Sequence, residues 1–194
     1  MRKTVDIIKM EHQALAAMLR SVTMLIAQHR SDGSAPAFDA FRAMLFYIDE
    51  FPEKRHHKKE TELLFPKLRA RTPQHRELLD RLDQEHHLGE GRIRELEHAL
   101  RGYEMMGEAR RAAFEDKAAR YVEFYLNHMK LEEREVLPLA EQVLKESDWS
   151  ELDDAFSQNR DPLTGAEPEA EYAALFKRIV NLVPAPIGLG PATS

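Results

Sequence analysis

Two histidine–glutamate pairs are the residues of this sequence whose types and spacing could do chemistry. His56 precedes Glu60 by four residues, and His128 precedes Glu132 by the same distance. Residues four apart lie one turn apart on one face of an α-helix, so each pair could present an imidazole and a carboxylate together. Imidazole and carboxylate donors without a thiolate are typical of sites for divalent transition metals.

The two pairs belong to an internal duplication. A proline stands six residues after each glutamate, at Pro66 and Pro138, so the unit His-x3-Glu-x5-Pro occurs twice, 72 residues apart. A single histidine precedes each unit, His12 in the first half and His86 in the second, at an offset of 74. This self-similarity indicates a duplicated helical hairpin.

The alternative to a metal site is a purely structural role. A single histidine on an apolar helix face is most often a hydrogen-bonded core residue. Two buried ionised glutamates without a cation, however, would each cost several kcal/mol, and no lysine or arginine shares these faces. We therefore predict two metal ions held by His12, His56, Glu60, His86, His128 and Glu132, with carboxylates able to bridge.

Four amphipathic segments must position these side chains. Apolar residues recur every three or four positions in each segment, which is typical of helices with one buried face. Short loops at residues 31–36, 72–73 and 106–107 separate the segments. The pattern predicts an all-α fold, an antiparallel up-down four-helix bundle over residues 1–146. Pro52 lies within the second segment and predicts a kink or a break there.

The last quarter of the chain differs in character. Residues 148–156 predict a short helix, residues 159–162 a turn, and residues 168–183 a last amphipathic helix. The proline- and glycine-rich ending, residues 184–191, is expected to be extended or disordered. We interpret residues 147–194 as a short helical C-terminal extension that packs on the bundle.

Composition and charge argue against several classes of function. The chain has 28 lysines and arginines against 34 acidic residues, without the basic excess of a nucleic-acid-binding surface. It has no cysteine, so disulfides, thiolate nucleophiles and cysteine-ligated metals are excluded. No apolar run suits a secretory signal or a membrane span, so we expect a cytoplasmic protein without a membrane partner.

Other residues near the predicted ligands leave alternatives open. His57 and His87 adjoin predicted ligands but lie about 100° round an α-helix from them, so we prefer His56 and His86. We predict that His29, His75 and His98 are surface residues and that Met10, Met18, Met44 and Met129 fill the core.

Four further side chains each have two interpretations. Tyr125 could turn its hydroxyl to the metal site, or be a core aromatic with its hydroxyl at the bundle edge. Gly89 could make room for a ligand or for a neighbouring helix. Glu11 and Glu85 could be exposed salt-bridge partners or could support the ligating histidines.

The duplicated pattern resembles the hemerythrin-like, or HHE cation-binding, family over about residues 4–145. Residues 51–66 are similar to the family's second helix, although Lys58 stands where a proline usually follows, and the C-terminal sequence is similar to proteobacterial members. The resemblance implies a non-haem di-iron centre with the six predicted residues as ligands and with Glu60 and Glu132 bridging. Zinc or manganese are the alternative metals.

Glu90 marks a departure from the oxygen carriers of the family, which have a fifth histidine at that position. It could be a further ligand, a supporting group or a solvated residue. The resemblance implies that the protein binds or reacts with O2, NO or peroxide in sensing, storage or stress protection. One alternative is a peroxidase-like or NO-reducing di-iron oxidoreductase with an external electron-donor protein. Another is a helical interaction module with a structural metal.

Overall fold

The computed structural model describes residues 2–185 and 187–188, and within them the chain forms helices and turns without a β-strand. The predicted all-α class is confirmed. The described residues form six helical segments: α1 (Lys3–Asp32), α2 (residues 38–71), α3 (Arg76–Met106), α4 (residues 111–143), α5 (Glu146–Phe156) and α6 (Ala173–Leu182). Short 3-10 turns lie at Pro73–His75, Gly107–Arg110, Pro162–Thr164 and Ala170–Tyr172. The antiparallel up-down order of a four-helix bundle stays a prediction.

The segments α2 and α4 contain π-helical turns, in which the backbone bond spans five residues instead of four. Within α2 the α-helical parts are Phe38–Ile48, His57–Lys59 and Phe65–Arg71, and the π-helical parts are Asp49–His56 and Glu60–Leu64. Within α4 the α-helical parts are Arg111–Leu131 and Leu137–Val143, with a π-helical part at Glu132–Val136. Both predicted bridging glutamates therefore begin a π-helical turn.

The prolines of the repeat account for where these turns occur. Proline has no N–H to donate, and its ring crowds the carbonyl four residues earlier. One residue before Pro66, the N–H of Phe65 donates to the carbonyl of Glu60. The second repeat has the same arrangement, because the N–H of Leu137 donates to the carbonyl of Glu132 just before its own proline.

Pro52 lies inside the first π-helical turn. The N–H of His57 donates to its carbonyl, again across five residues. The sequence predicted a kink or a break at this proline. The structure shows no break: the helical backbone is continuous through Pro52 and widens into a π-helical turn, so the residues that follow are rotated relative to a regular α-helix. The kink stays a prediction.

The hydrophobic core consists of two clusters separated by the predicted ligands along each helix. The larger cluster includes Met18, Met44 and Met129, as predicted. The smaller one includes Val5 of α1 and parts of α2, α3, α4 and α5. Met10 was also predicted in the core, and this is wrong: it is 44% exposed, because it lies on the opposite face of α1 from the buried stripe.

The extension packs against the rest of the chain through α5 and α6. Trp149, Leu152 and Phe156 are all buried in the smaller cluster, which confirms the predicted short helix. The last helix begins at Ala173 rather than near residue 168, and Phe176 anchors it in the larger cluster.

Two further sequence predictions concern the end of the chain and the membrane. Most of the predicted extended ending lies outside the described residues, and the domain division at residue 147 stays a prediction. No helix in the described part of the chain has both the length and the apolar composition needed to cross a membrane.

Candidate metal centre

The structure brings all six predicted ligands into one buried cluster. Each has at most 5% of its surface exposed. Glu60 Oε2 lies 3.3 Å from His56 Nε2 and 3.5 Å from His86 Nε2. The first carboxylate thus lies between an imidazole of α2 and one of α3.

The second carboxylate spans the cluster in the same way. Glu132 Oε2 lies 3.3 Å from His12 Nε2, whereas its Oε1 lies 3.4 Å from His128 Nε2 and 3.7 Å from His86 Nε2. One carboxylate therefore has an oxygen facing each of two histidine groups. This is the placement that a bridging ligand requires.

A fifth histidine joins the cluster. His57 is 3% exposed, and its ring stacks on that of His86 with centroids 4.4 Å apart. Nitrogen atoms of His57, His86 and His128 all lie within 4.8 Å of one another. On the other side of the cluster, one donor atom each of His12, His56 and Glu60 also lie within 4.8 Å of one another.

The sequence analysis preferred His56 to His57 because adjacent residues of an α-helix diverge by about 100°. The two rings do diverge, with centroids 5.4 Å apart, but this does not expose His57, because His56 and His57 join the two different groups of donor atoms. Both histidines are buried. In the third helix the structure places His86 in the buried cluster and leaves His87 exposed, which agrees with the preference for His86.

Glu90 is not part of the cluster. It is an exposed residue of α3 whose carboxylate lies 3.2 Å from Arg94 Nη2. Of its three interpretations, the structure favours the solvated residue. His98 is exposed and His75 half-buried, but His29 is not a surface residue as predicted: its side chain is 12% exposed, with Nε2 2.9 Å from Tyr103 Oη.

Every imidazole of the cluster has a polar side chain at its outward nitrogen. The distances from Nδ1 are 2.7 Å for His56–Glu11, 2.8 Å for His128–Glu85, 3.0 Å for His12–Glu133, 2.8 Å for His86–Thr61 and 3.2 Å for His57–Glu53. A carboxylate only accepts, so Nδ1 carries the proton in four of these pairs. An imidazole whose only proton is on Nδ1 presents the lone pair of Nε2, which is the form that binds a metal. Without a metal, the neighbouring carboxylates raise the pKa of His12, His56 and His128 above its ordinary value although burial opposes this, so metal binding would displace protons from these imidazoles.

The partners of the histidines also follow the duplication. Glu11 and Glu85 each precede the single histidine of their repeat, and each contacts the histidine on the next helix. Of their two interpretations the structure favours support of the ligands over exposed salt bridges. Glu11 is only 7% exposed.

Glu53 is a buried acid that the sequence analysis missed. Its Oε1 accepts hydrogen bonds from Tyr121 Oη at 2.7 Å and from Tyr125 Oη at 2.5 Å. Burial raises the pKa of Glu53 to about 7. The sequence does contain a feature that could have identified it, because Glu53 stands four residues before His57 and so lies on the same helix face.

The position of the Tyr125 hydroxyl bears on the interpretations of both Tyr125 and Gly89. The hydroxyl of Tyr125 is buried against Glu53 and not at the edge of the bundle. A Cβ atom at Gly89 would lie 1.8 Å from that hydroxyl oxygen. The glycine therefore makes room for a side chain of the neighbouring helix.

The inward atoms of the cluster are what a metal would satisfy. Within the described part of the chain, His12 Nε2, His56 Nε2, Glu60 Oε2 and both carboxylate oxygens of Glu132 are buried without a hydrogen-bond partner. Most buried polar groups in proteins are paired. Burial lowers the pKa of His57 well below its usual value, which keeps that imidazole neutral and able to coordinate. The donor set therefore fits a metal centre.

Two surface pockets reach the cluster from different sides. One, of about 480 Å³, is lined by Glu53, His57 and His86. The other, of about 530 Å³, is lined by His12 and Met129. Small molecules therefore have a short path to either group of histidines.

A comparison with protein-family models matches residues 3–140 to the family described as hemerythrin HHE cation binding domain. Comparisons with curated proteins and with solved structures gave no match. The matched region covers more than half of the chain and contains all five histidines and both glutamates of the cluster. The chain therefore belongs to the hemerythrin HHE cation-binding domain family.

Proposed function

We propose that this chain is a non-haem di-iron protein that binds or reacts with O2, NO or peroxide, in sensing, storage or protection against stress. The observation that carries the proposal is the buried cluster of five imidazoles and two carboxylates, in which Nε2 of His12 and of His56 and oxygen atoms of both carboxylates have no hydrogen-bond partner. When bound, the iron pair supplies redox chemistry and open coordination positions for a small ligand.

The ligands divide into two groups. His12 and His56 would hold one ion, and the triad His57, His86 and His128 the other, while Glu60 and Glu132 are shared. Histidine with carboxylate donors on facing helices is the ligand style of di-iron and di-manganese proteins, which is why we favour iron over zinc. The arrangement is consistent with an antiparallel four-helix bundle.

The residues around the ligands bury the cluster and fix the imidazoles. The pair formed by His12 and His56 offers fewer protein donors than the triad, so an external ligand has more room on that side. This is the side reached by the pocket that Met129 lines. Met129 and Leu126 give this pocket an apolar wall beside His12, which suits a small uncharged ligand such as O2 or NO. The pocket is also lined by the charged side chains of Arg20, Lys130, Glu133 and Arg134.

A di-iron oxidoreductase is the second candidate function, and Glu53 favours it. This acid lies 3.2 Å from His57 Nδ1 and lines the pocket that reaches the cluster on this side, so it is placed to pass a proton between solvent and the site. Tyr121 and Tyr125 keep its carboxylate in place. The electrons would come from an external donor protein.

Metal analysis tests the proposed function first. The protein is purified from iron-supplemented cells or reconstituted with Fe(II), and its metal content is measured by mass spectrometry. We expect about two iron ions per chain, as in other helical di-iron proteins. Less than about one equivalent of any transition metal after reconstitution would contradict the proposal, and zinc at the same occupancy would contradict the redox part of it.

Turnover separates the two candidates. The reduced, iron-loaded protein is mixed with O2, NO or H2O2 in a stopped-flow instrument, with and without an excess of reductant. A binding protein gives a single stoichiometric absorbance change, whereas an enzyme consumes many equivalents. If Glu53 serves as the proton donor, Glu53→Gln should lower the turnover per bound iron ion, whatever its effect on iron content through His57.

A further inference from the structure

Asn159 is a buried polar residue that lies beyond the region matching the family. It is 3% exposed and follows α5 in the turn that leads to the rest of the extension. Its backbone N–H donates to the carbonyl of Phe156, the last residue of α5. The ring of Phe156 meets that of His56 edge-on, with centroids 6.2 Å apart. The extension therefore reaches the metal cluster from outside the family domain.

The side-chain amide of Asn159 connects two charged groups. Its Nδ2 donates to Glu11 Oε2 at 2.9 Å, and its Oδ1 accepts a hydrogen bond from Lys59 Nζ. The opposite orientation of the amide would place two acceptors together and two donors together, so the charges on either side fix it. The same carboxylate oxygen of Glu11 lies 2.7 Å from His56 Nδ1.

We propose that Asn159 is a positioning residue for the metal centre, which acts through Glu11 to orient the imidazole of His56. This inference rests on the proposed function. A buried carboxylate that accepts from both an imidazole and an amide is held in one direction, and it holds the imidazole in turn. The C-terminal extension is then part of the metal site and not an accessory to it.

The second repeat lacks this arrangement, which supplies an internal comparison. Glu85, the counterpart of Glu11, contacts His128 in the same way but is held by Arg81 Nε at 2.8 Å. The side chain of Arg81 is 63% exposed, so this contact is open to solvent. The extension thus distinguishes the two halves of a duplicated site.

Two variants of the full chain test the proposal. Asn159→Ala removes the amide, and Asn159→Asp keeps its size but replaces the donor by an acceptor facing Glu11. The first readout is the release of metal from the iron- or zinc-loaded protein to a chelator. We expect about one of the two equivalents to leave about tenfold faster than in the wild type, because loss of an outer partner typically weakens a metal site by 10- to 100-fold.

The second readout is NMR of the zinc-loaded protein. We expect the His56 Nδ1–H proton to exchange with water about tenfold faster in either variant, while that of His128 is unchanged. If Asn159 had only a structural role, its replacement would not change the exchange rate of the His56 proton while that of the His128 proton stayed the same. Arg81→Ala is the matched control in the other repeat and should leave the signal of His56 unchanged.

The outcomes are distinct. If the wild type takes up two metal ions but both Asn159 variants release them at the wild-type rate, with an unchanged His56 signal, the inference is overturned. If Asn159→Ala does not fold, the same-sized Asn159→Asp decides the question. A wild-type protein that takes up no metal would overturn the proposed function, and this inference with it.

Discussion

His57 and Met129 occupy equivalent positions in the two repeats, 72 residues apart, and so do Glu53 and Tyr125. These substitutions make the site asymmetric. The first repeat adds an imidazole and an acid on one side of the cluster, whereas the second repeat supplies a thioether and a phenol. The duplicated scaffold therefore brings three histidines together on one side of the cluster and two on the other.

Replacing His57 by alanine should weaken metal binding. The side chain is buried and its ring lies against His86 within the triad, so its loss removes one nitrogen donor from that group. We expect about one metal equivalent per chain to be lost on dialysis against a chelator, measured by mass spectrometry.

His87→Ala is the control for this experiment. His87 is exposed, and its Nδ1 lies 2.9 Å from the carbonyl of Asp83, away from the cluster. It should load metal as the wild type does. Equal loading of the His57 and His87 variants would contradict the assignment of His57.

Asp161→Asn should change how the stability of the metal-free protein depends on pH. Burial raises the pKa of Asp161 to about 6, above its ordinary value of 3.8. A carboxyl group whose pKa is higher in the folded state than in the unfolded state makes the folded protein more stable at low pH. This part of the folding free energy is lost as the pH rises from about 4 through 6. An asparagine does not titrate, so the variant should not lose stability as the pH rises. Its side chain can still form a hydrogen bond with Tyr47, whose hydroxyl lies 2.6 Å from the carboxylate of Asp161 in the wild type.

We therefore expect the variant to be more stable than the wild type at pH 7.5 by up to about 3 kcal/mol, and to have no advantage near pH 4. Urea unfolding at the two pH values measures the difference. Asp154→Asn, at an exposed position of α5, is the charge-matched control and should behave as the wild type at both. If Asp161→Asn raised the free energy of unfolding by the same amount at both pH values, titration of the Asp161 carboxyl group could not be the cause.

At the scale of elements, α3 and α4 approach closely beside the metal cluster. Gly89 of α3 faces Tyr125 of α4, and a side chain at the glycine would overlap both the hydroxyl oxygen and the ring carbon that bears it. The close approach is what lets the tyrosine hydroxyl reach Glu53 on α2. One glycine thus allows the close approach of two helices that each carry histidines of the cluster.

Gly89→Ala should destabilise the protein by about 1–3 kcal/mol, the usual cost of overpacking a well-packed core. Removing the hydroxyl in Gly89→Ala/Tyr125→Phe eliminates the closest overlap, so the double variant should recover part of the loss. Thermal or urea unfolding of the metal-free proteins measures both. Gly91→Ala, where a Cβ meets no neighbouring atom, is the matched control and should be neutral or stabilising.

At the scale of the whole molecule, the extension shares its core with the family domain. Trp149, the sole tryptophan of the chain, is 1% exposed in the cluster that also contains Val5 of α1 and Phe65 of α2. Residues far apart in sequence therefore bury one another. Removing the extension from the domain would expose apolar surface of α1 and α2 to water.

The extension should consequently unfold together with the rest of the chain. We expect the urea transition followed by Trp149 fluorescence to coincide with that followed by helical circular dichroism, which is the test of a single cooperative unit. Bound metal should shift both transitions to higher urea by the same amount, because it binds only the folded state. A fluorescence change that precedes the loss of helix would show that the extension is a separate unit.

The sequence by itself determined the helical class and the six residues that meet in the cluster. Helical periodicity and a spacing of four are local properties, so His56 with Glu60 and His128 with Glu132 could be placed on one helix face without knowing the fold. The duplication then supplied His12 and His86, because equivalent positions of a repeat occupy equivalent places.

The tertiary structure decided what local spacing does not encode. His57 was set aside because its side chain diverges from that of His56 on one helix, and only the packed helices show that this second direction also enters the cluster, against His86. Glu53 and Asn159 were missed since their roles depend on partners 68 and 148 residues away, Tyr121 and Glu11. Such contacts form only when the helices pack together, because a polar group that becomes buried then requires a hydrogen-bond partner.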